Sequence, residues 1–151
     1  MWLKMPSGKV HAVATIVTGT AASLSVFSLG GGLYGLIFMF VGALSGLFLS
    51  PDLDIEKGSI SDTFVRKLLG NVISKVWRVF WYPYGKLSKH RGLSHALFIG
   101  TTVRVLYIGI PIVLTSFVLN FPETIPNLPY WWLFAGLCLV DAIHILMDKI
   151  L

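Results

Sequence analysis

Charge is scarce in this sequence. Asp, Glu, Lys and Arg together make up 13% of its 151 residues, about half of the roughly 25% that soluble domains carry. Hydrophobic residues reach 55% and the mean hydropathy is +0.77. That balance excludes an ordinary soluble domain and describes an all-α integral membrane protein, long enough for one small helical bundle. Cysteine is scarcer still. The single Cys138 sits inside an apolar run, which excludes an intrachain disulfide and suits a small apolar packing residue. Acids are also few, seven against twelve basic residues, for a net charge of +5. Eight of the twelve basic residues fall between Lys57 and Arg91. In a chain this apolar they face anionic lipid headgroups. No RNA-binding motif or zinc-finger spacing supports nucleic acid as a partner.

What is present is a series of apolar runs, and they predict four transmembrane helices. Residues 10–29 are rich in Ala, Thr, Ser and Val and are long enough for the ~30 Å hydrocarbon core. Lys4 and Lys9 ahead of this run resemble a signal peptide. The run is long, holds His11 at its start and lacks a clear small-x-small cleavage site, so it reads as a retained first helix. Gly30-Gly31-Gly32 permits a tight turn into a second run, 33–49. Ser50-Pro51 ends that run and leads into Asp52-Leu53-Asp54. Residues 94–119 form a third run, with Arg104 inside it and Pro111 placed to kink it. Arg104 is deep enough that it must snorkel or pair with a buried acid. Tyr130-Trp131-Trp132 marks an aromatic belt at the start of the fourth run, 130–150.

Between the second and third runs, residues 62–86 have another character. Val65, Leu68, Leu69, Val72, Ile73, Val76 and Phe80 follow helical spacing, while Arg66, Lys67, Lys75 and Arg78 take the other face. An amphipathic interfacial helix with Trp77 and Trp81 nearby fits this pattern. A soluble helix on a separate domain is the alternative, but the chain offers no other soluble core. Basic residues then fix the orientation. The two connections opposite the basic segment, 30–32 and 120–129, have none, so both termini are expected on the cytoplasmic side of the cytoplasmic membrane.

This topology brings eight candidate metal ligands into one layer: His11, Asp52, Asp54, His90, His95, Asp141, His144 and Asp148. All four histidines of the chain are among them. Asp141, His144 and Asp148 are spaced i, i+3, i+7 and share one helical face. His144 and Asp148 stand one turn apart, a chelating arrangement. Mixed imidazole and carboxylate ligands suit Zn, Mn or Fe better than Ca or Mg. Eight candidates exceed one four-coordinate site, and two ions are expected, with Zn the first choice. The alternative is a buried network of ion pairs and hydrogen bonds that registers the helices, with Arg91 and Arg104 neutralising acids.

Met5-Pro6-Ser7-Gly8-Lys9 with His11, Ser50-Pro51-Asp52-Leu53-Asp54, His90-Arg91-Gly92-Leu93-Ser94-His95, and Asp141 with His144 and Asp148 carry a resemblance. In this order they resemble the uncharacterised membrane metal-binding proteins of bacteria and archaea. They are also similar to the membrane-bound metal-dependent hydrolases, which share Pro-Asp-x-Asp, His-Arg-Gly-x-(Ser/Thr)-His and His-x-x-x-Asp elements. The resemblance implies metal binding and a place in the cytoplasmic membrane. Ile55 departs from the wider group, which often has histidine there, so one ligand of that group is expected to be absent.

Two kinds of function compete for these residues. In the first, the chain is a metal-dependent hydrolase with His11, Asp52, His95, Asp141, His144 and Asp148 as core ligands. Asp54 and His90 then serve as ligands or hold ligands in place. A carboxylate such as Asp52 or Asp148 bridges two ions that lower the pKa of a water, and Arg91 and Lys57 stabilise an anionic oxygen. A site at headgroup depth under a basic helix suggests a phosphoester substrate such as a membrane lipid. In the second, the chain binds, senses or handles metal without turnover, or uses it only to staple helices. Transport fits less well, because all candidates lie on one side rather than near the midplane.

Overall fold

The computed structural model describes residues 8–54, 59–88, 95–120 and 127–150, the side chains of Asp54 and Ile60 excepted. Every regular element among them is helical. Helix α1 covers Gly8–Val26 and α2 covers Gly32–Ser45. The chain reverses between them because Gly30 and Gly32 adopt φ of +91° and +66°, conformations that strain any residue with a Cβ. The two helices then lie antiparallel in close contact. A Cβ on Gly19 of α1 would come within 2.6 Å of the Ala43 Cβ of α2.

Helix α5, Tyr130–Ile150, packs chiefly on α2. Glycine permits the approach: a Cβ on Gly42 would overlap the Leu133 backbone, and one on Gly136 would overlap the Met39 carbonyl. Contacts climb both helices together, from Gly35 with Trp132, through Met39 with Gly136, to Gly46 with Val140, so α2 and α5 run parallel. Ala43, Leu137 and Val140 form the buried centre of this seam. Small residues of this kind suit helix contact where lipid, not water, surrounds the bundle. Hydroxyls on α1 are satisfied inside the helix, as in Thr20 Oγ1 to the Ile16 carbonyl and Ser23 Oγ to the Gly19 carbonyl.

After α2 the chain tightens. Gly46 and Leu47 amides donate to the Ala43 and Leu44 carbonyls at 3.1 and 3.0 Å, and a 3-10 turn follows at Pro51–Asp54. The second predicted run, 33–49, therefore ends as α-helix at Ser45. Helix α4, Ile99–Val118, starts later than the predicted Ser94 because Phe98 takes φ +63° and turns the chain sharply first.

The largest departure is α3, Ile60–Leu87. A continuous amphipathic helix was expected, but Gly70 adopts φ +87° and ψ 175° and breaks it. Residues twelve apart in a straight helix stand about 18 Å apart. Here Ser74 Oγ donates to Asp62 Oδ1 at 2.6 Å, and Trp77 Nε1 donates to Ser61 Oγ at 3.0 Å. The segment is a helical hairpin. Ser59 caps its start, accepting from the Asp62 amide. Its second arm lays Trp81 and Tyr84 on Leu53, with Tyr107 of α4 stacked on Trp81 at 5.2 Å between ring centroids.

Two helical stretches among the described residues, Gly8–Ser45 and Ile99–Val118, are long and apolar enough to cross a membrane.

Candidate metal centre

Four chain segments end at the same corner of the bundle. The first turn of α1 carries His11, the 3-10 turn after α2 carries Asp52, and the approach to α4 carries His95. The last two turns of α5 carry His144 and Asp148. Because α2 and α5 run parallel while α1 opposes them, residues 133 apart in sequence meet here.

One nitrogen or oxygen from each of Asp52, His95, His144 and Asp148 lies within 4.8 Å of all the others. His95 Nε2 stands 3.7 Å from Asp52 Oδ1 and 3.6 Å from Asp148 Oδ2. His144 Nε2 stands 3.3 Å from Asp52 Oδ2 and 3.5 Å from Asp148 Oδ2. These separations exceed the 2.7–3.2 Å of N–H···O hydrogen bonds. Four ligands each about 2.1 Å from a single ion are spaced ~3.4 Å apart along the edges of a tetrahedron. The four distances lie near that value, the two to Asp52 being to different oxygens of its carboxylate. The buried His144 Nε2 makes no hydrogen bond among the described residues, although two carboxylates face it. The donor set is therefore one that can hold a metal ion.

Asp148 uses its two oxygens differently. Oδ2 faces His95 and His144, while Oδ1 lies 3.2 Å from His11 Nε2. The His11 ring stacks on His144 with centroids 4.2 Å apart, and its Nδ1 is buried without a hydrogen-bond partner among the described residues. Electrostatics suit cation binding too. Burial pushes the Asp52 carboxyl up, but contact with His144 and the charges of His144, His95 and His11 outweigh it, and the group ends below the usual carboxylate range. Asp52 is thus held as an anion ready to ligate.

Asp141, expected among the ligands, is placed elsewhere. It sits a turn deeper than His144 and takes hydrogen bonds on Oδ2 from Thr101 Oγ1 and from the Arg104 guanidinium, both at 2.5 Å. Arg104 is fully buried, and it also donates to the Leu49 carbonyl at 2.5 Å and the Gly100 carbonyl at 3.1 Å. The reason is cost: a guanidinium in an apolar helix needs an anion, and Asp141 is within its reach. Thr101 and the Leu49 carbonyl had no signal in the sequence that would single them out. Lys57, His90, Arg91 and the side chain of Asp54 lie outside the described residues.

Comparison with known proteins bears on the same residues. A family model described as "Uncharacterized metal-binding protein (DUF2227)" matches residues 6–128. That range holds His11, Asp52 and His95, while His144 and Asp148 lie beyond it. An uncharacterized protein of Aquifex aeolicus (strain VF5) is 35% identical over 69 residues. The match covers 45% of this chain and 42% of that protein. No solved structure matches the chain.

Proposed function

The chain belongs to this uncharacterized metal-binding family, and we propose that it is a membrane-embedded, metal-dependent hydrolase of phosphoesters. In this reading α1, α2, α4 and α5 cross the cytoplasmic membrane, with the metal layer and both termini on the cytoplasmic side. The apolar stretch Gly8–Ser45 crosses twice, since Gly30 and Gly32 fold it back. Exposed Val13, Val17, Leu24, Ile112, Val113 and Phe117 then meet lipid rather than water.

The observation that carries the reading is the divided carboxylate of Asp148. One oxygen joins the four-donor group and the other turns to His11, so Asp148 could offer a donor to each of two ions. Asp52, His95, His144 and Asp148 would hold the first ion, zinc by preference with manganese or iron as alternatives. His11 and Asp148 Oδ1 would begin the second position, with Asp54 and His90 available by sequence. Bound there, divalent ions supply Lewis acidity, polarising a phosphoryl oxygen and lowering the pKa of water. The chain's own contribution is to fix the donors and keep the layer anionic. Arg91 and Lys57 are proposed to stabilise charge on the departing or phosphoryl oxygen. A corner at headgroup depth favours a phospholipid or another membrane-bound phosphate as substrate.

One observation favours a second reading, metal binding without turnover. Four protein donors fill a tetrahedral ion, as in structural zinc sites, whereas catalytic zinc keeps one position open. The test is to reconstitute the full chain in phospholipid vesicles with zinc or manganese and follow phosphate-ester cleavage. Turnover that needs His144 and His11 supports the hydrolase. Tightly bound metal with no turnover on phospholipid or small phosphoester substrates supports the binding protein.

A further inference from the structure

The hairpin of α3 is the largest feature that the metal centre leaves unexplained. Its tip is exposed without interruption from Arg66 to Ile73. Leu68, Leu69, Val72 and Ile73 are 64%, 50%, 75% and 46% exposed, and Val76 beside them is 63% exposed. An apolar tip of this kind is costly in water. Around it stand Arg66, Lys67 and Lys75, all exposed, with Lys86 further down the second arm. The one acid of the hairpin, Asp62, is turned inward at its base. It accepts from Ser74 and lies 3.5 Å from Arg78 Nε. The tip therefore offers apolar side chains ringed by positive charge, with no exposed carboxylate on the hairpin.

We propose that the α3 tip inserts into an anionic lipid monolayer, with Leu68, Leu69, Val72 and Ile73 among the acyl chains and Arg66, Lys67 and Lys75 at the phosphates. Charge complementarity selects the partner. Nucleic acid would satisfy the basic residues but leave the aliphatic ones in water, whereas a lipid monolayer satisfies both. The fold also explains why the sequence breaks at Gly70. A straight amphipathic helix lies flat on the surface, but a reversal at φ +87° gathers the aliphatic residues from both arms at one point. The Asp62–Ser74 and Trp77–Ser61 hydrogen bonds brace the two arms below the tip. This inference rests on the membrane placement above, and it adds a second contact outside the spanning helices.

The test uses the full chain carrying Cys138→Ala and one new cysteine, Val72→Cys at the tip or Ile112→Cys on the outer face of α4. Each is labelled with an environment-sensitive fluorophore. The protein is reconstituted in vesicles of phosphatidylcholine alone or phosphatidylcholine with phosphatidylglycerol. Quenching by brominated acyl chains reports contact with lipid, and quenching by iodide reports contact with water. The expected result is that both labels are quenched by brominated lipid. The tip label loses that quenching several-fold in phosphatidylcholine alone or when Arg66→Gln, Lys67→Gln and Lys75→Gln are combined, since each such charge changes the ratio of inserted to free tip about fivefold. A tip label quenched by iodide alone, with the Ile112 label in lipid, overturns the insertion but leaves the spans standing. Both labels in water overturns the membrane placement and the insertion together. Equal lipid quenching in both vesicles overturns the anionic preference. A tip label shielded from both quenchers means that protein covers it, and overturns the proposal.

Discussion

Removing Arg104 alone should be worse than removing Arg104 and Asp141 together. Both are almost completely buried, the arginine at 0% and the aspartate at 2% exposure, and their contact is 2.5 Å. Arg104→Met leaves the Asp141 carboxylate with the Thr101 hydroxyl as its described hydrogen-bond donor. Breaking a buried pair from one side costs about 3–5 kcal/mol, because the surviving charge has no counterion. Asp141→Leu is expected to cost a similar amount, offset in part by the Leu49 and Gly100 carbonyls that the guanidinium keeps. The double variant Arg104→Met/Asp141→Leu removes both charges and should recover most of the loss, so the two effects are strongly non-additive. Chemical unfolding of the full chain in mild detergent, followed by tryptophan fluorescence and circular dichroism, measures all three. Single variants that each cost less than about 1 kcal/mol, with a double variant equal to their sum, would refute the reasoning. The same variants bear on the metal. Leu49 lies three residues before Asp52 and Asp141 lies one helical turn before His144, so Arg104 ties the segments that carry two donors. Metal affinity in the single variants should fall, since the segments that carry Asp52 and His144 lose a shared anchor.

Three further outcomes follow from the geometry. Gly136→Val forces a side chain against the Met39 carbonyl, and overpacking of this kind costs roughly 1–3 kcal/mol. It should lower the thermal midpoint in detergent, while Gly109→Ala, with open space at its Cβ, should not. Metal affinity should fall steeply with acid. Asp52 is held below the usual carboxylate range, so it stays ionised, and His95 and His144 set the window. Each imidazole must give up its proton to ligate, so protons displace metal as the pH falls, by up to tenfold per pH unit for each imidazole. An affinity independent of pH between about 7 and 5 would exclude the two histidines as ligands. His11→Ala should leave one ion bound and remove the second, read as a drop in metal stoichiometry at unchanged fold.

Much of this architecture was legible in the residue pattern, for identifiable reasons. The Gly30–Gly32 reversal could be read because three glycines between apolar runs leave few other conformations. The four donors that meet at the corner were all among the eight candidates, because imidazoles and carboxylates are rare in so apolar a chain. Asp141 illustrates the limit. Its i, i+3, i+7 spacing puts it on the face of His144 and Asp148, but a shared face says nothing about depth. One turn is enough to hand it to Arg104 instead of the metal group. The sequence also raised the pairing of Arg104 with a buried acid, yet it could not choose which one. The α3 hairpin escaped notice because Val65, Leu68, Leu69, Val72 and Ile73 keep helical spacing straight across Gly70. A lone glycine inside a periodic helix ordinarily costs about 1 kcal/mol without breaking it. The break is decided by tertiary bonds, Ser74 to Asp62 and Trp77 to Ser61, and those have no local signature.

The most direct test is the metal content of the detergent-purified protein, compared with His144→Ala and Asp148→Ala after reconstitution and removal of loose ions. About two equivalents of zinc, manganese or iron in the unaltered chain, lost in both variants while circular dichroism shows the helices intact, is the predicted result. An unaltered chain that holds no metal after reconstitution, or variants that bind as much as it does, would contradict the claim. The corner where His95, His144, Asp52 and Asp148 meet would then be a network of ion pairs registering the helices.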